Sequence, residues 1–518
     1  MRSWPISRTS MAVVLLGVAV TALYATRLGF APIYLIHDEV NFSLQAASVA
    51  KTGRDLNGRL LPVYFSEPAF TAGRDPMLIY AAAAVLQVLP LSEAAVRFPT
   101  ALVGISNILL VAWLAYLVFN DARLSLAAGV MLALSPGHFI HSRLALSVLF
   151  PVPFVIAWLI ALCRMGDAPN WRLLFVGGAL LGLGVYGYLA SMVMMPVYLL
   201  LTALVLAERR QFKLIGWTAA GFAMVLVPVL LWTIAHPERY VDLLRAYRPG
   251  EVTADSSFVD AAGAVSSGGW RVRFSAWWSY FDPEYLFLSG DPSLVNSTRQ
   301  AGLFSLALAV FIPVGLWRLV RSTGFERLLL IGLLTAPLAV VLTGTLNLHR
   351  YRGMFVLPFG VMVATYGLSV MWASPRRIWR FAATAMLLTI PIQFAGFYRD
   401  YMGPYRERSS YWFGGNLRAA VLEVMQHPPG SGQSYISGSI PHADLYWRFY
   451  AQTIASATGA PTLLDPESAA SGAFAPGSKA ITAFNEPLAT VLDRSGWRRD
   501  RVVTEPGGAP AFVIFGRP

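Results

Sequence analysis

Apolar stretches recur along the chain at 11–30, 97–119, 124–141, 144–163, 173–188, 189–207, 214–235, 301–317, 328–346, 353–372 and 378–397. Most approach the ~17–25 residues that carry a helix across a bilayer, so the pattern predicts about eleven transmembrane helices. The stretch 76–90 (PMLIYAAAAVLQVLP) is shorter and is bounded by Pro76 and Pro90. It predicts a helix lying in the interface, with a second such helix at 39–51. Three long polar segments remain, at 31–96, 236–300 and 398–518. In the last, strand-like runs (Ser434–Ser437, Ala480–Phe484, Ala511–Phe515) alternate with helix-like ones (Leu417–Gln426, Ala443–Ile454). The expected fold class is therefore a polytopic α-helical membrane protein, a transmembrane module over 1–397, followed by a small α/β domain over 398–518.

Composition agrees with the pattern. The chain is 56% hydrophobic and 13% charged, against roughly 25% charged in a soluble domain, which excludes a cytosolic enzyme. Cys163 is the single cysteine, so no internal disulfide framework exists. The formal charge of +12 could suggest nucleic acid, but the cations sit singly or in small groups between apolar runs, where they encode orientation instead. With 76–90 in the interface, Arg2, Arg8, Arg123, Arg164, Arg172, Arg209, Arg210, Lys213, Arg318, Arg321, Arg327, Arg376, Arg377 and Arg380 all fall on one side. The positive-inside rule makes that side cytoplasmic. The first run then reads as an uncleaved signal anchor in the cytoplasmic (inner) membrane, and the long loops and the tail face outward. The tail holds 11 Lys/Arg and 10 Asp/Glu and is nearly neutral. Gly178 and Gly182 form a small-xxx-small pair suited to close helix packing.

Candidate chemistry gathers at the outer rim. His37-Asp38-Glu39 follow the first span, and two adjacent carboxylates at a membrane surface need a partner or a task. The plain alternative is a helix N-cap, Asp38 capping a helix that starts at Glu39. Arg74-Asp75-Pro76 enter the interfacial helix, and Arg97-Phe98-Pro99 open the next span. SPGHFIHSRLALS (135–147) supplies His138, His141 and Arg143, and LHRYRGMFVLP (348–358) supplies His349, Arg350, Tyr351 and Arg352. Any one cluster alone reads as headgroup anchoring. Together they suit an anionic lipid headgroup, with arginine forks matching phosphate oxygens.

The order of these motifs resembles the GT-C glycosyltransferases, in particular the branch of the protein O-mannosyltransferases and the lipid A aminoarabinose transferase. The shared features are Asp-Glu after the first span, an x-Pro-x-Leu helix (here DPMLIY), Arg-Phe-Pro at the second span and SPxxxxxSR at the outer end of the third. They cover roughly residues 1–370, with Pro76 standing where many members carry two prolines. The resemblance implies a polyprenyl-phosphate-linked sugar as donor, the lipid bilayer as setting, and a lipid, polysaccharide or protein hydroxyl as acceptor. It also implies Asp38 as general base with Glu39 as the second acidic position, and Arg97 and Arg143 as family arginines. By charge, Arg97, Arg143, Arg350 and Arg352 are candidates for the donor phosphate. Arg74, Asp75, His138, His141, His349 and Tyr351 are further substrate-binding candidates. One base and no evident carboxylate nucleophile suggest a single displacement with inversion. No cofactor is required by the motifs, although His37, Asp38 and Glu39 offer oxygen and imidazole ligands to a divalent metal. A transporter or flippase of lipid-linked glycans is the alternative. Its polar residues would sit near the bilayer midplane, whereas here they gather at the rim.

Overall fold

The computed structural model describes residues 8–67, 70–165, 170–236, 270–343, 350–428, 432–454 and 459–518. Of residues 66–67 and 70–74 only the backbone is described. Among the described residues, six helical segments are long and apolar enough to cross a membrane: Glu93–Phe119, Ser147–Met165, Ser191–Glu208, Phe212–Ala235, Val356–Ala373 and Arg377–Met402. Shorter apolar helices occupy Met11–Ala25, Pro76–Leu86, Ala122–Ala133, Trp171–Gly184 and Leu308–Leu319. For the first part of the chain we use α1 (Arg8–Ala25), α2 (His37–Thr52), α3 (Pro76–Leu86), α4 (Glu93–Phe119), α5 (Ala122–Ala133), α6 (Pro136–His141), α7 (Val152–Met165), α8 (Trp171–Gly184), α9 (Ser191–Glu208) and α10 (Phe212–Ala235).

Helices coincide with the apolar stretches, and proline sets the differences. The stretch 124–141 divides into α5 and α6 around Ser135-Pro136, and 328–346 divides into Gly324–Thr335 and Leu338–Thr343 around Pro337. In both places the ring removes a helical donor and disfavours helix at the preceding residue. The expected interfacial helix at 39–51 is real but longer, and it is no surface helix. Val40 to Ala47 are buried against α3 and the tail helix Ala443–Ala451. α2 stops where Gly53 takes φ 69° and donates to Val49 O, the left-handed cap that glycine adopts without strain.

Two glycine contacts draw helix pairs together. A Cβ at Gly178 would collide with the Thr218 carbonyl, and one at Gly221 with the Phe175 carbonyl, which joins α8 to α10. Gly315 and Gly367 do the same between Leu308–Leu319 and Val356–Ala373. Close backbone approach of this kind carries helix association where lipid removes the hydrophobic driving force. The bundle has two chemically different ends. α4 runs for 27 residues, about 40 Å, from Glu93 at the end of the first loop to Phe119. At the Phe119 end, Arg123, Arg318 and Arg380 line one hollow, and Arg327 pairs with Glu208.

The tail builds a mixed five-stranded sheet from β3 (Ser434–Ser437), β4 (Thr462–Leu464), β5 (Lys479–Ala483), β6 (Arg498–Thr504) and β7 (Pro510–Gly516), in the order β4-β3-β5-β7-β6. Strands β1 (Phe65–Glu67) and β2 (Phe70–Arg74) form a separate antiparallel pair in the first loop. β3 runs parallel to β4 and β5, and β7 antiparallel to β5 and β6. The last membrane helix continues to Met402, past the expected 397, into the turn where Arg408 pairs with Asp400. The tail grips the first loop. Tyr446 Oη donates to Leu35 O (2.9 Å), Tyr450 Oη to Glu93 (2.8 Å), and Arg418 also pairs with Glu93. Glu505 accepts from Tyr34 Oη and from Asn416 N–H. An apolar cluster containing Leu35, Val40, Leu44 and Val96 continues into Val421, Tyr446 and Phe449.

The glycine contact gives a matched test. Gly178→Leu is expected to cost at least ~1–3 kcal/mol through overpacking. Gly216→Leu on α10 meets nothing within 4 Å and should leave the melting temperature in detergent close to wild type.

Candidate active site

The segment between α1 and α2 is held by two buried arginines. Arg97 projects from α4 and spends all five of its N–H donors. Nε and Nη2 grip the two Glu39 oxygens at 2.9 and 3.1 Å, Nη1 donates to Leu28 O and Pro32 O, and Nη2 also donates to Tyr34 O. Glu39 completes its own shell with the N–H groups of Ala145 (2.8 Å) and Ile36 (3.1 Å). Both side chains are 0% exposed. Every donor and acceptor is matched, as a bidentate ion pair buried in low dielectric requires. Arg143 bonds to the carbonyls of Tyr24, Arg27 and Ala31. These lie at and just beyond the C-terminus of α1, where unpaired carbonyls favour a cation. These contacts correct three expectations. Arg97 and Arg143 are not open to a phosphate, and Glu39 has no unpaired oxygen for catalysis. The helix cap is also corrected, because α2 begins at His37 with Ile36 as N-cap and Asp38 lies inside the first turn.

Pinning Glu39 aims its neighbour outward. The Asp38 side chain is 32% exposed and lines a cavity of about 640 Å³ between the first loop, the α6–α7 connection, the α8–α9 turn, the middle loop and the tail. Asp75, Tyr351 and Arg352, all singled out in the sequence, line the same cavity, joined by Ser147, Tyr188, Asp291, Asn296, Arg299 and Trp412. Asp75 is buried and accepts from Ser147 Oγ at 2.8 Å. Asp291 is buried too, with Oδ1 accepting from Ser293 N–H. Burial raises the Asp291 carboxyl above the usual carboxylate range, against the Ser293 N–H, Asn296, Arg350 and Arg299, which favour the charged form. Three carboxylates thus line the cavity, Asp38, Asp75 and Asp291, of which Asp38 is the one left partly exposed. On the opposite wall the Arg299 guanidinium lies 5.1 Å over the Trp412 ring, a cation–π contact. Beside the cavity runs an apolar groove of about 580 Å³ lined by Pro76, Met77, Tyr80, Leu183 and Tyr186. In the chain, Pro76 follows Asp75 and Tyr186 lies two residues before Tyr188.

Comparison with known proteins places this geometry. A family model described as dolichyl-phosphate-mannose-protein mannosyltransferase matches residues 69–232. The structure of ArnT from Cupriavidus metallidurans bound to undecaprenyl phosphate superposes with a TM-score of 0.61 at 12% identity, covering 98% of each chain. The apo form of that ArnT gives 0.55 at 13% identity with the same coverage. The chain has the fold of that ArnT. The S. cerevisiae Pmt1-Pmt2 complex bound to the sugar donor aligns over 46% of this chain and 35% of that one, at 15% identity and a TM-score of 0.36, too low to bear on the fold. No curated protein matches the chain by sequence.

The remaining candidates lie elsewhere within this ArnT-like fold. His138 is buried and its Nδ1 meets Tyr24 Oη at 3.0 Å, a packing role at the α5–α6 corner. His141 is buried behind the cavity. Arg350 is set away from it, over the Tyr285 ring at 5.0 Å and 3.9 Å from Asp282. Arg74 ends β2, its side chain outside the description, and His349 lies outside the described residues altogether. The His37, Asp38 and Glu39 set does not fit a divalent ion, because the oxygens of Glu39 are already spent. Among the described residues no three His, Cys, Asp or Glu side chains converge. Asp291, Arg299 and Trp412 were not singled out in the sequence. The signal that could have found two of them is the polar run GDPSLVNSTR inside the middle loop.

Removing Arg97 strands a buried carboxylate and three carbonyls. Arg97→Ala should cost ~3–5 kcal/mol and abolish a monodisperse gel-filtration peak. Arg97→Lys, a point charge without the fork, should be only partly better.

Proposed function

We propose that the chain transfers a sugar from a polyprenyl-phosphate donor to a hydroxyl acceptor at the outer face of the cytoplasmic membrane, with Asp38 as general base. The observation that carries this reading is the cavity itself. A partly exposed carboxylate faces it from the first loop, Arg299 and Arg352 face it from two other segments, and an apolar groove opens on residues next in sequence to its lining. An isoprenoid chain in the groove would place its phosphate at the arginines and its sugar toward Asp38.

In the transfer, the acceptor oxygen attacks the anomeric carbon, the bond from that carbon to the phosphate oxygen breaks, and the acceptor proton passes to Asp38. The departing phosphate keeps its electron pair, and Arg299 and Arg352 stabilise the charge. Asp75 and Asp291 are held by Ser147 and Ser293, which makes them poor nucleophiles and favours one displacement with inversion. Glu39 and Arg97 take no part in the chemistry; they hold Asp38 in place. Trp412 offers an aromatic wall from the tail side, where an acceptor would enter. The acceptor is a hydroxyl on a lipid, a polysaccharide or a protein.

Asp38→Asn is expected to lower transfer from a polyprenyl-phosphate sugar by at least 10²-fold, the usual scale of a lost general base, while leaving the melting temperature and donor binding near wild type. Arg352→Ala and Arg299→Ala should each weaken donor binding about tenfold or more, with less effect on a neutral polyprenol. Near-normal turnover by Asp38→Asn removes Asp38 from the mechanism.

A further inference from the structure

Behind the reaction cavity lies a second space of about 10 Å³, and Asp291, Asn296 and Tyr351 border both. His141 also lines it. Two of these residues bury a polar atom that has no hydrogen-bond partner within the protein, His141 at Nδ1 and Asp291 at Oδ2. They are 1% and 7% exposed. An orphaned buried donor or acceptor costs ~1–3 kcal/mol, so two on one small space call for a common partner. The volume is on the order of a single water, which needs two to four polar neighbours. The walls are fixed, since Gly290 has φ 73° and a Cβ there would press on Ser297 Oγ at 2.6 Å and on Ala301 O at 2.8 Å.

We propose that one ordered water fills this space and joins the His141 imidazole to Asp291 Oδ2, so that His141 is a positioning residue for a carboxylate on the wall of the reaction cavity. The other carboxylate oxygen is already fixed by Ser293 N–H. The water link therefore adds to Ser293 N–H and Asn296 in setting the rotation of the Asp291 carboxyl and how readily it ionises. Charged and titratable neighbours of the couple are Arg299 and Arg350, Tyr280 and Tyr285 around Asp291, and His138 beside His141. Under the sugar-transfer reading, an ionised Asp291 offsets Arg299 and eases release of the phosphate product. The couple itself does not depend on that reading.

The test uses the full chain in detergent and follows melting temperature between about pH 5 and pH 8. A carboxyl raised in the folded protein binds its proton more tightly there than when unfolded. Its contribution is thus present at low pH and is lost as pH rises through the folded value. Removing the His141 donor raises that value further. His141→Phe is therefore expected to lose about 1 °C more at pH 8 than at pH 5, the scale of ~1 kcal/mol in a chain of 518 residues. In an Asp291→Asn background the pH-dependent part should vanish, and His141→Asn, which keeps a donor, should behave as wild type. A penalty equal at every pH, or one that persists in Asp291→Asn, overturns the proposal. So does a cryo-EM map that resolves waters elsewhere and shows none here. If His141→Phe does not fold, His141→Leu, which also lacks a donor, gives the same comparison. Absence of sugar transfer by wild type would refute the proposed function and leave these melting curves to decide the couple independently.

Discussion

A carboxylate and a guanidinium sealed from water hold together only when every lone pair and every N–H is matched, and Glu39 with Arg97 meets that condition. The consequence reaches well beyond two residues. Arg97 also takes the carbonyls of Leu28, Pro32 and Tyr34, so the irregular chain between α1 and α2 is ordered from below. Arg143 orders it from the side through Tyr24, Arg27 and Ala31. The start of α2, and with it the direction of Asp38, follows from these bonds.

Around the cavity the acids are sorted by burial. Glu39 is sealed and paired, Asp75 and Asp291 are buried with serine-derived donors, and Asp38 keeps contact with solvent. Adjacent residues in the sequence therefore have opposite tasks. The first turn of a helix makes this sorting natural, since successive side chains there point about 100° apart and one faces the core while its neighbour faces outward.

Much of the architecture was legible because bilayer crossing demands long apolar runs, and these cannot be disguised. Breaks at Ser135-Pro136 and at Pro337 were missed because hydropathy ignores backbone donors. In the tail, β3, β5 and β7 were visible as apolar runs, whereas β6 (RRDRVVT) was not, since an exposed edge strand has little need of alternation. At the site, Asp38, Asp75, Tyr351 and Arg352 stood out as polar groups in the loops between apolar runs. Arg97 and Arg143 stood out for the same reason and were misread. A sequence shows that a cation sits at a membrane edge but not that carbonyls 63 to 119 positions away use up its donors. Arg299 and Trp412 come together across more than a hundred residues, and no local pattern marks either.

The grip of the tail on the first loop has a temporal side. Leu35 and its clamp Tyr446 are 411 positions apart, so a ribosome releases the loop long before the hydroxyl that steadies it exists. Glu39 and Arg97, 58 positions apart, can meet while most of the helices are still unmade. The segment bearing Asp38 is thus anchored early in synthesis and completed last, by whatever the final hundred residues contribute.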